Sequence, residues 1–143
     1  LVEAQAGRVL LTQTWVEEFK TSSKRVNLTK SPVSSITSVK YYDTDNNQQT
    51  ATLSDFTLVK SEDSPYVDSD NWPVAYSRAD AYEVTYVSGY GVAADTPAKL
   101  RQAILLIVGQ YYEHRMNVTE AKLVEMPLAA QHLINLERAR WYG

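Results

Sequence analysis

The chain has 143 residues, a mass of 16.1 kDa, 44% hydrophobic and 22% charged side chains, and a net charge of −3. That length and composition suit one globular domain. The absence of cysteine excludes disulfides and thiolate metal sites, and no apolar run approaches the ~18 residues of a membrane span. An acidic balance also argues against a module that grips DNA. The charge is unevenly placed. From Asp43 to Asp80 eight acids accompany two bases, Lys60 and Arg78, whereas Pro97 to Gly143 carries six bases and four acids. This is either two solvated faces or two halves that meet different partners.

Residues Leu1 to Arg8 read as the end of a helix closing near Gly7. No signal-peptide pattern precedes Leu1, and residues upstream of it are expected to be missing. From Leu11 to Phe19, Thr, Trp and Val recur at a period of two, which predicts a strand. Thr21 to Lys24 is a turn, Val26 and Leu28 fit a short strand, and Val33 to Tyr42 fits a third. Asp43-Thr44-Asp45-Asn46-Asn47 is turn chemistry, because Asp and Asn bond their own backbone and tolerate unusual φ. Gln49 to Leu53 returns from that turn, and Phe56, Leu58 and Val59 fit another strand. Ser61 to Tyr76 is polar and holds Pro65 and Pro73, so it reads as an irregular connection with an extended piece around Tyr66 and Trp72 as its anchor. Tyr82 to Ser88 alternates most clearly of all, and Gly89-Tyr90-Gly91 ends it. Thr96-Pro97 opens a helix in which Leu100, Ala103, Ile104, Ile107, Val108 and Tyr111 form one stripe, with Leu105, Leu106 and Tyr112 off it, and Leu100, Ile104, Ile107 and Val108 are expected to be buried. A helix apolar on more than one face packs on more than one side. Asn117 to Glu125 is a connection. Pro127 starts a final helix with Leu128, His132, Leu133 and Leu136 roughly on one face.

The expected fold class is α+β. An antiparallel β-sheet of about six strands (residues 10–92) is inserted between an N-terminal helix (1–9) and a part with two helices (96–143), the whole being one domain.

A search for chemistry assigns no catalytic, cofactor-binding or metal-ligating residues. Neither His114 nor His132 has a partner at ligand spacing, and His114 near a helix end is favoured there by the dipole. No nucleophile elbow, P-loop or dinucleotide fingerprint is present. The glycines of Gly89-Tyr90-Gly91 suit a strand-to-helix corner that needs unusual φ. Asp43 to Asn47 spaces oxygen ligands at alternate positions but lacks the Gly and terminal Glu of an EF-hand loop. The carboxylate pairs Glu17/Glu18 and Asp68/Asp70 are formal candidates for a hydrolase, in loops or strands where acids rarely have shifted pKa values. Trp15, Trp72 and the tyrosines offer a different alternative, a small monomeric β-rich module binding a ligand or carbohydrate by stacking. At the C-terminus, Trp141 and Tyr142 either fold back onto Leu133 and Leu136 or dock on a partner.

Several segments resemble those of one family. They are Gly7-Arg8-Val9-Leu10-Leu11-Thr12-Gln13-Thr14-Trp15, the strand Pro32 to Tyr42 with its Asp-rich turn, Val84-Thr85-Tyr86-Val87-Ser88-Gly89-Tyr90-Gly91, and the helix from Pro97 to Tyr111-Tyr112-Glu113-His114-Arg115, followed by Met126-Pro127-Leu128. In order and spacing they are similar to the head–tail connector, or adaptor, proteins of long-tailed bacteriophages, prophages and gene-transfer agents. Leu128 stands where that family often has Phe. The resemblance implies a structural virion protein at the head–tail interface, assembled in the host cytoplasm. It would form a ring with copies of itself, typically twelve-fold, bound under the portal protein. That ring would extend the DNA channel without binding DNA specifically and receive the next neck protein, a stopper or tail terminator. The resemblance also points to Arg138, Arg140, Trp141 and Tyr142 as the portal-facing segment. Leu100, Ile104, Leu105, Ile107, Val108, Tyr111 and Tyr112 become candidates for subunit packing. It implies no enzyme activity, cofactor or membrane.

Overall fold

The computed structural model describes residues 1–20, 24–116 and 126–139. Strand β7 (Tyr82–Ser88) is the spine of the β part. Tyr82, Val84, Tyr86 and Ser88 are buried on one face, while Glu83, Thr85 and Val87 are half-buried on the other, the alternation a pleated strand imposes. It pairs antiparallel with β1 (Gln13–Phe19) on one side and β3 (Val33–Tyr42) on the other, and β3 pairs with β4 (Gln48–Thr50), giving the order β1-β7-β3-β4. Two register shifts, between Val33 and Ser35 and between Ile36 and Ser38, bend the long β3 across β7.

In place of the single sheet of about six strands, the described residues form seven strands in two antiparallel sheets. The second has the order β2-β6-β5, from β2 (Arg25–Asn27), β6 (Tyr66–Asp68) and β5 (Thr57–Val59). The extended piece around Tyr66 is its central strand. The reason for the split lies in burial. Leu28, Phe56 and Val67 around the small sheet need an apolar cover, and they find it against Val33, Val39, Val84 and Tyr86 of the large one. Two faces packed this way make a small sandwich. Trp72 closes its side, edge-on to Phe56 at 4.9 Å and to Tyr82 at 5.5 Å.

The Asp43 turn forms as its chemistry predicts. Asp43 Oδ1 accepts hydrogen bonds from the Asp45 and Asn47 N–H groups at 3.0 and 2.9 Å, and Oδ2 accepts from the Gln49 amide at 2.8 Å. The Asn47 bond, followed by that of Gln49, holds the Asp43 carboxyl below the usual carboxylate range. Arg78 braces this turn. It forks onto Asp80 at 2.6 and 2.8 Å, donates to Asn46 Oδ1 at 3.0 Å and stacks over Tyr42 at 3.7 Å. At the other end of β7, Gly89 and Gly91 have φ of +121° and +108°. A Cβ on Gly89 would stand 2.4 Å from the Leu11 carbonyl oxygen, so the corner admits only glycine there.

The helices form a separate layer: α1 (Val2–Ala6), α2 (Ala98–Met116) and α3 (Leu128–Leu136). Pro97 and Pro127 precede α2 and α3, and their carbonyls accept the first helical hydrogen bonds, from Arg101 at 3.1 Å and Gln131 at 3.0 Å. Lys99 near the start of α2 pairs with Glu137 just past α3 at 2.8 Å, so the two helices run antiparallel. Their core is Val2, Ala6, Leu10, Leu100, Ala103, Ile107, Ala130 and Ile134. On α3 the face that carries Leu128, His132 and Leu136 points outward. Ala130 and Ile134 are buried, Leu133 is half-buried, and Leu128, His132 and Leu136 are exposed. The small Ala130 lets α3 approach the other helices closely, and that turns its leucines outward.

Arg8 fastens the two layers together. Only 7% exposed, it donates to the Glu137 carbonyl at 2.7 Å, to the Glu62 carbonyl at 2.9 Å and to Asp63 Oδ1 at 2.9 Å. The Tyr90 phenol lies beside it, its pKa raised chiefly by burial.

Candidate functional site

The residues singled out on α2 divide into two faces. Leu100 and Ile107 are buried with Ala103, and Ile104 is half-buried. Leu105, Val108 and Tyr112 are 71%, 57% and 67% exposed, and Tyr111 is exposed beside them. The expected burial of Val108 is thereby corrected. At 100° per residue it lies a quarter turn from the axis through Leu100 and Ile107, too far round to reach the core. The helix therefore carries a second apolar stripe, Leu105, Val108 and Tyr112, turned away from its own subunit. Beside the first turns of α2 this stripe runs into an apolar groove of about 400 Å³, walled by Leu10, Leu11, Ala93, Thr96, Ile104 and Leu105, with Arg101 at its rim. Leu11 and Val92 add exposed apolar surface nearby. Exposed apolar area of this kind, gathered on one side of a small protein, is what an interaction surface requires.

The other candidates are dispersed. Arg138 is exposed just beyond α3, while Arg140, Trp141 and Tyr142 lie outside the described residues. Glu17 and Glu18 point to opposite faces of β1 and share no site. Glu17 accepts hydrogen bonds from the Tyr86 hydroxyl, from the Thr29 hydroxyl and, at 3.0 Å, from the Thr29 N–H. Burial first, and the neighbouring Glu17 carboxylate next, push the Tyr86 phenol well above its ordinary range. Asp68 sits opposite Arg25 in the small sheet, and Asp70 pairs with Lys24 at 2.7 Å. Trp15 and Trp72 do not make a stacking platform. Lys30 covers the Trp15 ring at 4.5 Å, and Trp72 is locked between Phe56 and Tyr82. Arg8 was not singled out from the sequence. Its signal is an arginine next to the apolar run Val9-Leu10-Leu11, where a charge needs partners if it is buried.

Of the eight acids between Asp43 and Asp80, Asp45, Asp55, Glu62 and Asp70 are exposed and the other four are half-buried. Asp63 and Asp80 pair with arginines. Among the described residues no helix is long and apolar enough to cross a membrane.

No protein-family model matches the chain, and no curated protein sequence matches it. Solved structures do match. A chain from the neck of a native gene transfer agent particle, computed with twelve-fold cyclic symmetry, superposes with a TM-score of 0.77 at 19% identity, covering 99% of this chain and 77% of that one. A chain from the neck of the empty particle, computed with six-fold cyclic symmetry, gives 0.75 at 18% identity over 99% and 73%. A chain from the virion of the native particle gives 0.74 at 18% identity over 99% and 72%. This protein has the fold of those chains, end to end.

Proposed function

We propose that this protein is a structural subunit of the neck of a phage-like particle, acting as a head–tail connector, or adaptor. Copies associate side by side into a ring under the portal protein, extend the DNA channel and receive the next neck protein. The observation that carries this reading is the outer face of α2. A protein with no further partner has little use for Leu105, Val108 and Tyr112 in water, and the similar chains come from necks computed with cyclic symmetry. The acidic stretch from Asp43 to Asp80 suits a conduit through which DNA slides, because it offers only Lys60 and Arg78 to phosphate. Arg138 with Arg140, Trp141 and Tyr142 forms the portal-docking segment: arginine forks onto carboxylates and the two aromatics bury large surfaces.

The test is mass measurement and electron microscopy of the protein alone and with a portal ring. Rings on the portal are the expected result. A protein that stays monomeric and ignores the portal would be a binding module instead. Deleting residues 140–143 is expected to leave the melting temperature unchanged and abolish portal binding. A truncated protein that loses stability yet still binds the portal would return the segment to the core.

A further inference from the structure

The outward faces of α2 and α3 fit one another, and from that fit we infer a specific contact between copies: α3 of one subunit packs on the outer stripe of α2 in the next. This rests on the ring reading above and goes further by naming the two surfaces. Three observations support it. First, α2 and α3 share one core, and each turns an apolar face away from it. On α2 the face is Leu105, Val108 and Tyr112, at i, i+3 and i+7; on α3 it is Leu128, 84% exposed, and Leu136. The two faces are different patches, and neither helix turns its face to the core they share. Two different patches that meet make a head-to-tail contact, the type that closes into a ring, and not the self-complementary contact of a two-fold dimer.

Second, Gly109 is exposed at the edge of this stripe, one turn after Leu105 and three residues before Tyr112. Glycine inside a helix weakens it, and nothing in the subunit requires one there. Its backbone is helical, and a Cβ added to it would meet no atom within 4 Å. A helix crossing from a second copy supplies the missing reason, because a bare Cα lets the two axes approach closely. Third, the chains that share this fold come from necks computed with twelve-fold and six-fold cyclic symmetry, which favours another copy as the partner. The contact continues the α2–α3 layer from subunit to subunit.

The chain has no cysteine of its own, which makes the test clean. Val108→Cys and His132→Cys, both at exposed positions, are prepared separately, mixed and treated with a short bismaleimide, while the mass of the untreated mixture is recorded. The expected result is a Val108–His132 cross-link in excess of either homodimer, and a ladder of multimers from the double variant. Predominant Val108→Cys homodimers would overturn the head-to-tail contact. Multimers by mass without the mixed cross-link would overturn the pairing of α2 with α3 and leave the ring reading intact. A monomer at every concentration, with no cross-link, would remove both. A second variant guards against a trivial failure. Gly109→Leu in the cysteine background is expected to keep the melting temperature of the free subunit and to lower the mixed cross-link at least tenfold. An undiminished cross-link would show that no element crosses at Gly109.

Discussion

The β sandwich and the helical layer solve the same problem, covering apolar side chains, in opposite ways. The sandwich covers them within the subunit. Tyr86, Val84, Val39, Leu28 and Val67 are almost wholly buried, and its aromatic rings pack on one another. The helical layer covers only half of what it carries. Leu100 and Ile134 are sealed, while Leu105, Val108, Tyr112, Leu128 and Leu136 stay in water. The difference separates a part that buries its apolar residues by itself from a part that leaves a good share of them exposed. Arg8 joins the two, with one hydrogen bond to the segment after α3 and two to the loop before β6.

Deep substitutions should therefore hurt either part, and shallow ones on α2 should spare the free subunit. Leu100→Ala removes a side chain with no exposed surface from the helical core. The expected loss is about 3–5 kcal/mol of folding stability, read by denaturant unfolding. A loss under about 1 kcal/mol would mean that the helical core forms only on assembly.

Arg8→Ala attacks the joint. It strips donors from two backbone carbonyls and from Asp63, which is itself partly exposed, so a loss of about 2–4 kcal/mol is expected. Calorimetry should then show the helical and β parts melting apart, where the parent melts in one transition. One transition at lower temperature would mean that other contacts couple them, such as that of Tyr90, which packs on the helical core and whose N–H donates to the Leu10 carbonyl at 3.1 Å.

Inside the sandwich, Tyr86→Phe deletes the hydroxyl that donates to Glu17 and accepts from the Lys30 N–H at 3.2 Å. About 1–3 kcal/mol should go, since both partners are left behind. The phenol's pKa is raised in the folded state above its ordinary value of 10.0. Its share of stability is thus fully present below about pH 10 and is lost as pH climbs toward the folded value, because the unfolded chain releases the proton first. The parent should lose stability with rising pH from about 10 upward, and Tyr86→Phe should show less of that slope. Equal slopes would place the alkaline sensitivity on other groups.

How legible each part was follows from the range of the interactions that build it. Local chemistry could be read directly. The Asp43 turn, the two glycines after β7 and the prolines before α2 and α3 each depend on a few neighbouring residues, and the structure has them where they were expected. The alternation of β1 and β7 was legible for the same reason. The second sheet was not. Its strands are three residues each, too short to show a period, and they exist because residues 25–27, 57–59 and 66–68 meet across the chain. Which face of α3 is buried was not legible, because leucines outweigh alanine in any pattern, while Ala130 lies in the core. Arg8 was invisible because its partners, Glu62, Asp63 and Glu137, lie far away in sequence. At the candidate site the stripe was half right: Leu100 and Ile107 face in, but Val108 faces out.

That last residue gives the smallest expected effect on stability and the most direct test of the contrast. Val108 is 57% exposed on α2. Replacing it with alanine forfeits little burial, and alanine avoids the χ1 restriction that makes a β-branched residue a poorer helix former. The two effects oppose each other, so the free subunit should change by no more than about 0.5 kcal/mol in either direction. Association should behave differently. If α2 finishes its packing against another copy, the methyls of Val108 are buried there, and their loss recurs at each contact around a ring. The protein should unfold at the parent's denaturant midpoint while its assembly, followed by mass measurement, shifts to higher concentration. An unchanged assembly curve would mean that the stripe faces solvent in the ring as well. A loss of 2 kcal/mol or more in the free subunit would mean that Val108 already has a cover within its own chain, and the helical layer would then be as complete as the sandwich.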